Sequence, residues 1–202
     1  MKILAINGSP RKEGNTSNII RAMLEGAESA GAETTEVRLH NIDLKGCMGC
    51  LSCRHNPGVC KQKDDLSPYL EALKICHGYI IGSPIYMYHV TGQMKMFVDR
   101  VYSLYISRAR EDGRYDSALP KGKTYALVTS QGHPDAQRFK RSIKWLAGMT
   151  GSGLGAEEVG RIIHTDSHIH PGKHNPDLLA EAREIGRKMV LNSANIQSEV
   201  KS

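Results

Sequence analysis

No apolar run in this 202-residue chain approaches the ~20 residues needed to cross a bilayer, so no membrane-spanning role is expected. The apolar opening MKILAI is too short for the core of a secretory signal and runs into NGSP without a cleavage-like site. The expected compartment is therefore the cytoplasm, where thiols stay reduced. The first glycine-bearing loop lacks the Gly-Lys-Ser/Thr ending of a Walker loop and does not match GxGxxG, which argues against ATP and against a Rossmann-type dinucleotide. No low-complexity tract, internal repeat or shift of composition marks a second domain, so residues 1–202 are expected to form one domain. No Ser/His/Asp arrangement demands a side-chain nucleophile. Cysteine is nearly absent too: four of the five lie between 46 and 60, and the fifth is Cys76.

The composition that remains is ordinary for a soluble globular protein, with 40% hydrophobic and 24% charged residues. The net charge of +6 favours anions, but its lysines and arginines are scattered. The densest stretch, RFKRSIK at 138–144, reads as the solvated face of a helix. With no basic stripe or aromatic platform, nucleic acid is not an expected partner.

Apolar periodicity alternates strand and helix along the chain. KILAIN (2–7) is a short apolar run suited to a central parallel strand covered on both faces. Helix is expected over 16–30, strand over 34–39, helix over 64–76 with an acidic start, and strand over 78–83, ended by Pro84. Helix follows over 91–105, a polar loop over 107–123, strand over 124–130, helix over 134–148, strand over 157–164 and helix over 176–191. Five strands alternating with five helices imply an α/β fold, a doubly wound parallel sheet in the flavodoxin-like order 2-1-3-4-5. In such a sheet, ligands bind beyond the carboxyl ends of the strands.

Three loops fall at that edge. NGSPRKEGNTS (7–17) brings Ser9, Asn15, Thr16 and Ser17 as hydrogen-bond donors at a helix N-terminus, with Arg11 as a cation, which suits phosphate. An N-cap followed by an ordinary turn would use the same residues. The stretch after the third strand, Pro84, Ile85, Tyr86, Met87, Tyr88 and His89, is aromatic and apolar, as a flat ring or a subunit interface would require. Ser130, Gln131 and Gly132 form a small polar loop after the fourth strand. Flavin mononucleotide (FMN) suits all three loops together.

The cysteines Cys47, Cys50, Cys53 and Cys60 form C-x2-C-x2-C-x6-C within the loop 46–63, which follows the second strand and is therefore expected on the same edge as the phosphate loop. An odd total of five cysteines in a reducing compartment weakens a disulfide reading. Zinc sites more often pair two CxxC units across a longer gap, whereas compact runs like this one wrap iron–sulfur clusters. Metal-free thiols are the third alternative. Cys76 reads as a small buried hydrophobe on a helix. The segment HTDSHIHPGKH (164–174) gathers His164, His168, His170 and His174 with Asp166, and it reads as a solvated or interface loop rather than a metal site, although its place after the last strand, on the ligand edge, leaves a substrate-side role open.

GSPRKEGNTS resembles the phosphate loop of the NAD(P)H-dependent FMN reductase superfamily, and GSPIYMYHVTGQMKMFVDR resembles its second signature, a Ser-Pro-x-Tyr loop beside the isoalloxazine followed by a helix. With CMGCLSCRHNPGVCKQKDD between them, the chain resembles the iron–sulfur flavoproteins of anaerobic microbes. The resemblance implies FMN and a 4Fe–4S cluster as cofactors, with the cluster on the four loop cysteines. It also implies a homodimer or homotetramer in which the cluster of one subunit lies near a flavin of another. The expected function is electron transfer between NAD(P)H or a reduced, ferredoxin-type carrier and an acceptor. A cluster-free NAD(P)H-dependent FMN or quinone reductase is the alternative, and a flavodoxin-like binding module with structural zinc is a third.

Overall fold

The computed structural model of this protein describes residues 1–106 and 116–199, and residues 107–115 of the expected polar loop lie outside them. Strands β1 (Lys2–Asn7), β2 (Glu33–Arg38), β3 (Gly78–Tyr86), β5 (Thr124–Ser130) and β6 (Glu157–His164) form one parallel sheet in the order β2-β1-β3-β5-β6. The two-residue strand β4 (His89–Val90) pairs antiparallel with the end of β3. Setting β4 aside, this is the expected order 2-1-3-4-5. The central strands are apolar throughout because both of their faces are covered. Ile3, Ala5, Ile80, Ala126 and Val128 point to one face, under α1 (Asn15–Ser29) and α6 (Pro176–Glu199). Leu4, Ile6, Tyr79, Ile81, Tyr125 and Leu127 point to the other. There α3 (Ser67–Ile75), α4 (Gly92–Val101) and α5 (Lys140–Thr150) cover them. The short helix α2 (Ser52–His55) lies inside the cysteine loop.

Several boundaries differ from those the sequence pattern suggests, each for a tertiary reason. Pro84 does not end its strand. Its missing N–H is tolerated, and β3 continues to Tyr86 as one arm of a hairpin with β4. The helix expected from 134 begins only at Lys140, because Asp135 organises a turn instead. Its carbonyl accepts from Gln131 Nε2 (2.8 Å), and its carboxylate accepts from Gln137 N (2.8 Å). The helix expected from Asp64 begins at Ser67, with Pro68 in its first turn, because Asp64 is drawn aside to a buried arginine. Cys76 caps the end of α3 rather than continuing it, and it is buried as expected. After Val101, α4 tightens to a 3-10 turn over Tyr102–Leu104, and α6 runs past 191 to Glu199.

Two features fix the geometry on either side of the sheet. Thr91 caps α4: its Oγ1 accepts from Met94 N (3.3 Å) and donates to the Gly8 carbonyl (2.8 Å). The start of α4 is thereby tied to the loop after β1. On the opposite face α1 and α6 touch backbone to backbone. A Cβ on Gly26 would stand 2.0 Å from the Arg183 carbonyl oxygen, and one on Gly186 would stand 1.9 Å from that of Met23. An alanine at Gly26 gains ~1 kcal/mol of helix propensity. It also forces the helices apart, at a cost of about 1–3 kcal/mol. The contact is with backbone, which cannot swing aside, so the clash wins. Gly26→Ala is expected to lower the urea unfolding midpoint; a raised midpoint would contradict this packing.

Candidate functional site

The loop after β1 folds on its own side chains. Ser9 N donates to Asn7 Oδ1 (2.8 Å), and Ser17 Oγ donates to the Arg11 carbonyl (2.8 Å). Asn7 Nδ2 reaches Ser17 Oγ (3.0 Å) and Glu36 Oε1 (2.7 Å). The loop delivers the chain to Gly14, the extended N-cap of α1, which has no side chain to cap the helix. The amides of the first turn of α1 are thus open to an acceptor from outside, and the helix dipole favours an anion there. Thr16 Oγ1 and Ser130 Oγ, 2.7 Å apart and buried, join this loop to the end of β5.

These elements enclose a cavity of about 340 Å³, within the range of small-molecule sites. Of the residues singled out in the sequence, Ser9, Arg11, Asn15, Thr16, Pro84, Ile85, Tyr86, Ser130, Gln131 and Gly132 line it. Ser17 does not; its hydroxyl shapes the loop from behind. Nor do Met87 and Tyr88. They occupy the turn of the β3–β4 hairpin with φ of 46° and 69°, the left-handed pair that a tight two-residue turn requires. Tyr88 is held the other way: Ser142 Oγ donates to its carbonyl (2.6 Å), and Phe139 packs edge-on at 5.1 Å. Arg138 donates to its hydroxyl, and His89 packs on Trp145.

Gln131 carries an informative polar atom. Its Nε2 is spent on the carbonyls of His133 (2.9 Å) and Asp135 (2.8 Å). Its Oε1 is buried without a partner among the described residues. An unpaired buried acceptor is costly, so its presence beside a cavity points to a ligand donor.

The histidine-rich loop also reaches this cavity, as its place after the last strand, on the ligand edge, allows. Ser167, His168 and Pro171 line it. Asn15 is the reason. Its Nδ2 donates to the Ser167 carbonyl (2.9 Å), and its Oδ1 accepts from Gly172 N (2.7 Å), so the side chain clamps the loop at the edge of the cavity it lines. The loop gathers no metal set: among the described residues no three His, Cys, Asp or Glu groups converge on a single ion. His170 Nε2 stands 3.6 Å from Asp166 Oδ2, and burial lowers the pKa of His164 from its ordinary 6.5.

The four loop cysteines line a second cavity, of about 90 Å³, together with Met48, Leu51, Arg100 and Tyr102. Tight turns place them. Gly49 and Gly58 take left-handed φ of 65° and 82°, and Leu51 takes 56° as the N-cap of α2, a conformation that costs a branched side chain ~1–3 kcal/mol. Gly49 N reaches Cys47 Sγ (3.4 Å), and hydrogen bonds from Ser52 lower the pKa of Cys50. The neck of the loop is stitched shut, with Asp43 N on Asp65 Oδ2 (2.9 Å) and Lys45 N on Asp64 Oδ2 (2.9 Å).

Arg100 closes this cavity from α4. It is 1% exposed, and all five of its N–H donors have acceptors. Nη1 bonds Asp64 Oδ2 (2.7 Å) and the Lys45 carbonyl (3.0 Å). Nη2 bonds Asp64 Oδ1 (3.2 Å) and the Gln62 carbonyl (3.1 Å), and Nε bonds Cys60 Sγ (3.2 Å). Burial alone would raise the Asp64 pKa, but Arg100 and the Lys45 N–H hold it at about 2 against an ordinary 3.8. Its contribution to stability is complete above about pH 4 and fades only as the pH falls toward 2.

The two cavities share no lining residue. The sequence suggests that the cysteine loop lies on the same edge as the phosphate loop. Instead it descends along α4, and Arg100 stands eight residues beyond the start of that helix, about 12 Å down its axis.

The sequence profile described as NADPH-dependent FMN reductase matches residues 1–150. An iron–sulfur flavoprotein of Archaeoglobus fulgidus is 35% identical over 192 residues, covering 94% of this chain and 79% of that protein. A second, from Methanocaldococcus jannaschii, is 40% identical over 100 residues, 50% of this chain and 51% of its own length. Among solved structures, an NAD(P)H:quinone oxidoreductase of Methanothermobacter marburgensis superposes with a TM-score of 0.71 at 16% identity, covering 94% of this chain and 96% of that one. A flavodoxin from the domain Archaea gives 0.58 at 18% identity, with 96% and 99% covered. At such identity the likeness is one of fold. No helix among the described residues is long and apolar enough to cross a membrane.

Removing the Asn15 clamp tests how the first cavity is built. Its two hydrogen bonds are worth about 1 kcal/mol each. Asn15→Ala is expected to speed amide hydrogen exchange at Gly172 by roughly 30-fold, with the centre of α1 unchanged. Equal rates in the two proteins would show that the loop is held by other contacts.

Proposed function

This chain belongs to the NADPH-dependent FMN reductase family and is a homologue of the iron–sulfur flavoproteins, and we propose that it is a redox protein carrying FMN in the first cavity and a 4Fe–4S cluster in the second. The observation that carries the reading is that Cys47, Cys50, Cys53 and Cys60 all line one hollow, beside a buried cation that bonds Cys60.

The residues of the first cavity suit FMN. The open amides at the start of α1, with the Thr16 and Ser130 hydroxyls and Arg11, take the phosphate. Gln131 Oε1 accepts from a ring N–H, which supplies its missing partner. Tyr86, 44% exposed at the rim, covers the ring and limits access to it.

The second cavity suits a cluster better than a single zinc ion. All four cysteines line one hollow, and their compact x2, x2, x6 spacing is that of cluster-binding runs rather than of paired CxxC zinc sites. The apolar wall of Met48, Leu51 and Tyr102 limits water.

When bound, FMN supplies two-electron exchange and the cluster supplies single electrons. NAD(P)H or a small ferredoxin-type carrier is the proposed donor or acceptor. The protein's part is to hold both groups, orient them and exclude water. Within one chain α4 separates the cavities, which supports exchange between subunits of a homodimer or homotetramer. Met48, Leu51, Met96 and Tyr102, exposed beside the cysteine cavity, and Met87 and Tyr88, exposed near the other, are the apolar surfaces for such an assembly.

Two measurements test the reading. Cys50→Ala purified without oxygen is expected to lose iron and acid-labile sulfide and to keep its flavin; unchanged iron content would refute the assignment of these cysteines. Riboflavin, which lacks the phosphate, is expected to bind at least tenfold more weakly than FMN. Equal affinity would remove the phosphate cradle from the account.

A further inference from the structure

Arg100 does more than close the cavity. Its Nε–H points at Cys60 Sγ from 3.2 Å, while its other four donors are fixed on Asp64, Lys45 and Gln62. The guanidinium is therefore locked in place, 1% exposed, with its charge beside a ligand sulfur. The partner carboxylate, Asp64, lies on the far side of the guanidinium plane edge, so cation and anion sit at unequal depth from the sulfur: Arg100 bonds Cys60, and Asp64 has no bond to any cysteine. A hydrogen bond to a ligand sulfur from a charged, buried donor favours the form carrying more negative charge.

We propose that Arg100 and Asp64 set the reduction potential of the centre held by the four cysteines, the cation raising it and the carboxylate lowering it. The inference rests on the reading that those cysteines hold an iron–sulfur cluster. No bond forms or breaks. Reduction adds one electron, supplied by the flavin or a reduced carrier, and the centre becomes one unit more negative. Arg100 stabilises that added charge through Cys60, and Asp64 offsets the stabilisation. Because both residues are buried, water screens neither charge well. A second cation nearby, the half-buried Arg54, is held less directly: its Nη2 stands 4.0 Å from Cys53 Sγ against 3.2 Å for Arg100 and Cys60, it donates to the carbonyls of Tyr102 and Tyr105 and stacks on Tyr102, and it has no carboxylate partner among the described residues.

Arg100→Gln and Asp64→Asn break the same ion pair, so damage to the loop would be common to both. Their effects on the potential are opposite in sign. The test is an anaerobic redox titration of the holoprotein followed by electron paramagnetic resonance, with iron and sulfide measured on each sample. Arg100→Gln is expected to lower the midpoint by an amount equal to about a tenfold change in the reduced-to-oxidised ratio, about 59 mV for one electron. Asp64→Asn is expected to raise it. Arg100→Lys, which keeps the charge, is expected to recover most of the loss. Shifts of the same sign in the two variants, or no shift in either, would overturn the proposal while leaving the cluster reading intact. A wild-type chain without iron and sulfide overturns both. Should the variants fail to fold, the otherwise unaltered Arg54→Lys chain labelled with ¹⁵N-arginine gives a second route. A hyperfine coupling between the reduced centre and a guanidinium nitrogen is expected, and its absence counts against Arg100.

Discussion

A buried arginine must find acceptors for five donors and a partner for its charge, and Arg100 finds all of them in one loop. The cost of burying an ion pair is several kcal/mol per charge, and it is recovered only when the geometry saturates both partners. That requirement dictates the path of the chain from Lys45 to Asp64. The carbonyls of Lys45 and Gln62 and the carboxylate of Asp64 must face one guanidinium, so the two ends of the cysteine loop come together at α4. The span between them is forced out as a closed excursion. Its three left-handed residues, Gly49, Leu51 and Gly58, turn it back on itself, and its thiols line the space enclosed.

The same helix serves the other cavity. Thr91 at its start holds the Gly8 carbonyl and so the phosphate loop, while Arg100 near its end holds the cysteine loop. One rigid element of ten residues thus fixes the spacing of two sites on different levels of the molecule. The opposite face contributes through Asn15, whose backbone opens the first turn of α1 and whose side chain clamps the loop after β6. Each cavity is therefore built by long-range ties between loops that follow different strands, as is general at the carboxyl edge of a doubly wound sheet.

What the sequence made legible follows from what is local. Runs such as KILAIN and TYALVTS need only be apolar to be recognised as central strands, and the order of the sheet follows from their alternation with helices. The cysteine spacing and the polar loop at 7–17 were equally plain. The misplaced boundaries at Asp64, Pro84 and 134–139 all depend on distant partners: Arg100, the β4 hairpin and Gln131. The clamp that Asn15 makes depends likewise on distant partners, Ser167 and Gly172. Arg100 was missed although a signal existed. It falls three residues after Phe97 and four before Leu104, on the buried side of an amphipathic helix, and a charge on that side demands a partner. The place of His168 and Ser167 on the ligand edge was legible, but the side chain that holds them there had no local mark, since it lies some 150 residues away.

The account claims that one chain holds a flavin nucleotide and an iron–sulfur cluster in two separate cavities joined by α4. The most direct measurement is the cofactor content of protein purified without oxygen, by visible absorbance, metal analysis and acid-labile sulfide. The account predicts about one FMN, four irons and four sulfides per chain. Zinc in place of iron, or flavin with no metal at all, would contradict it.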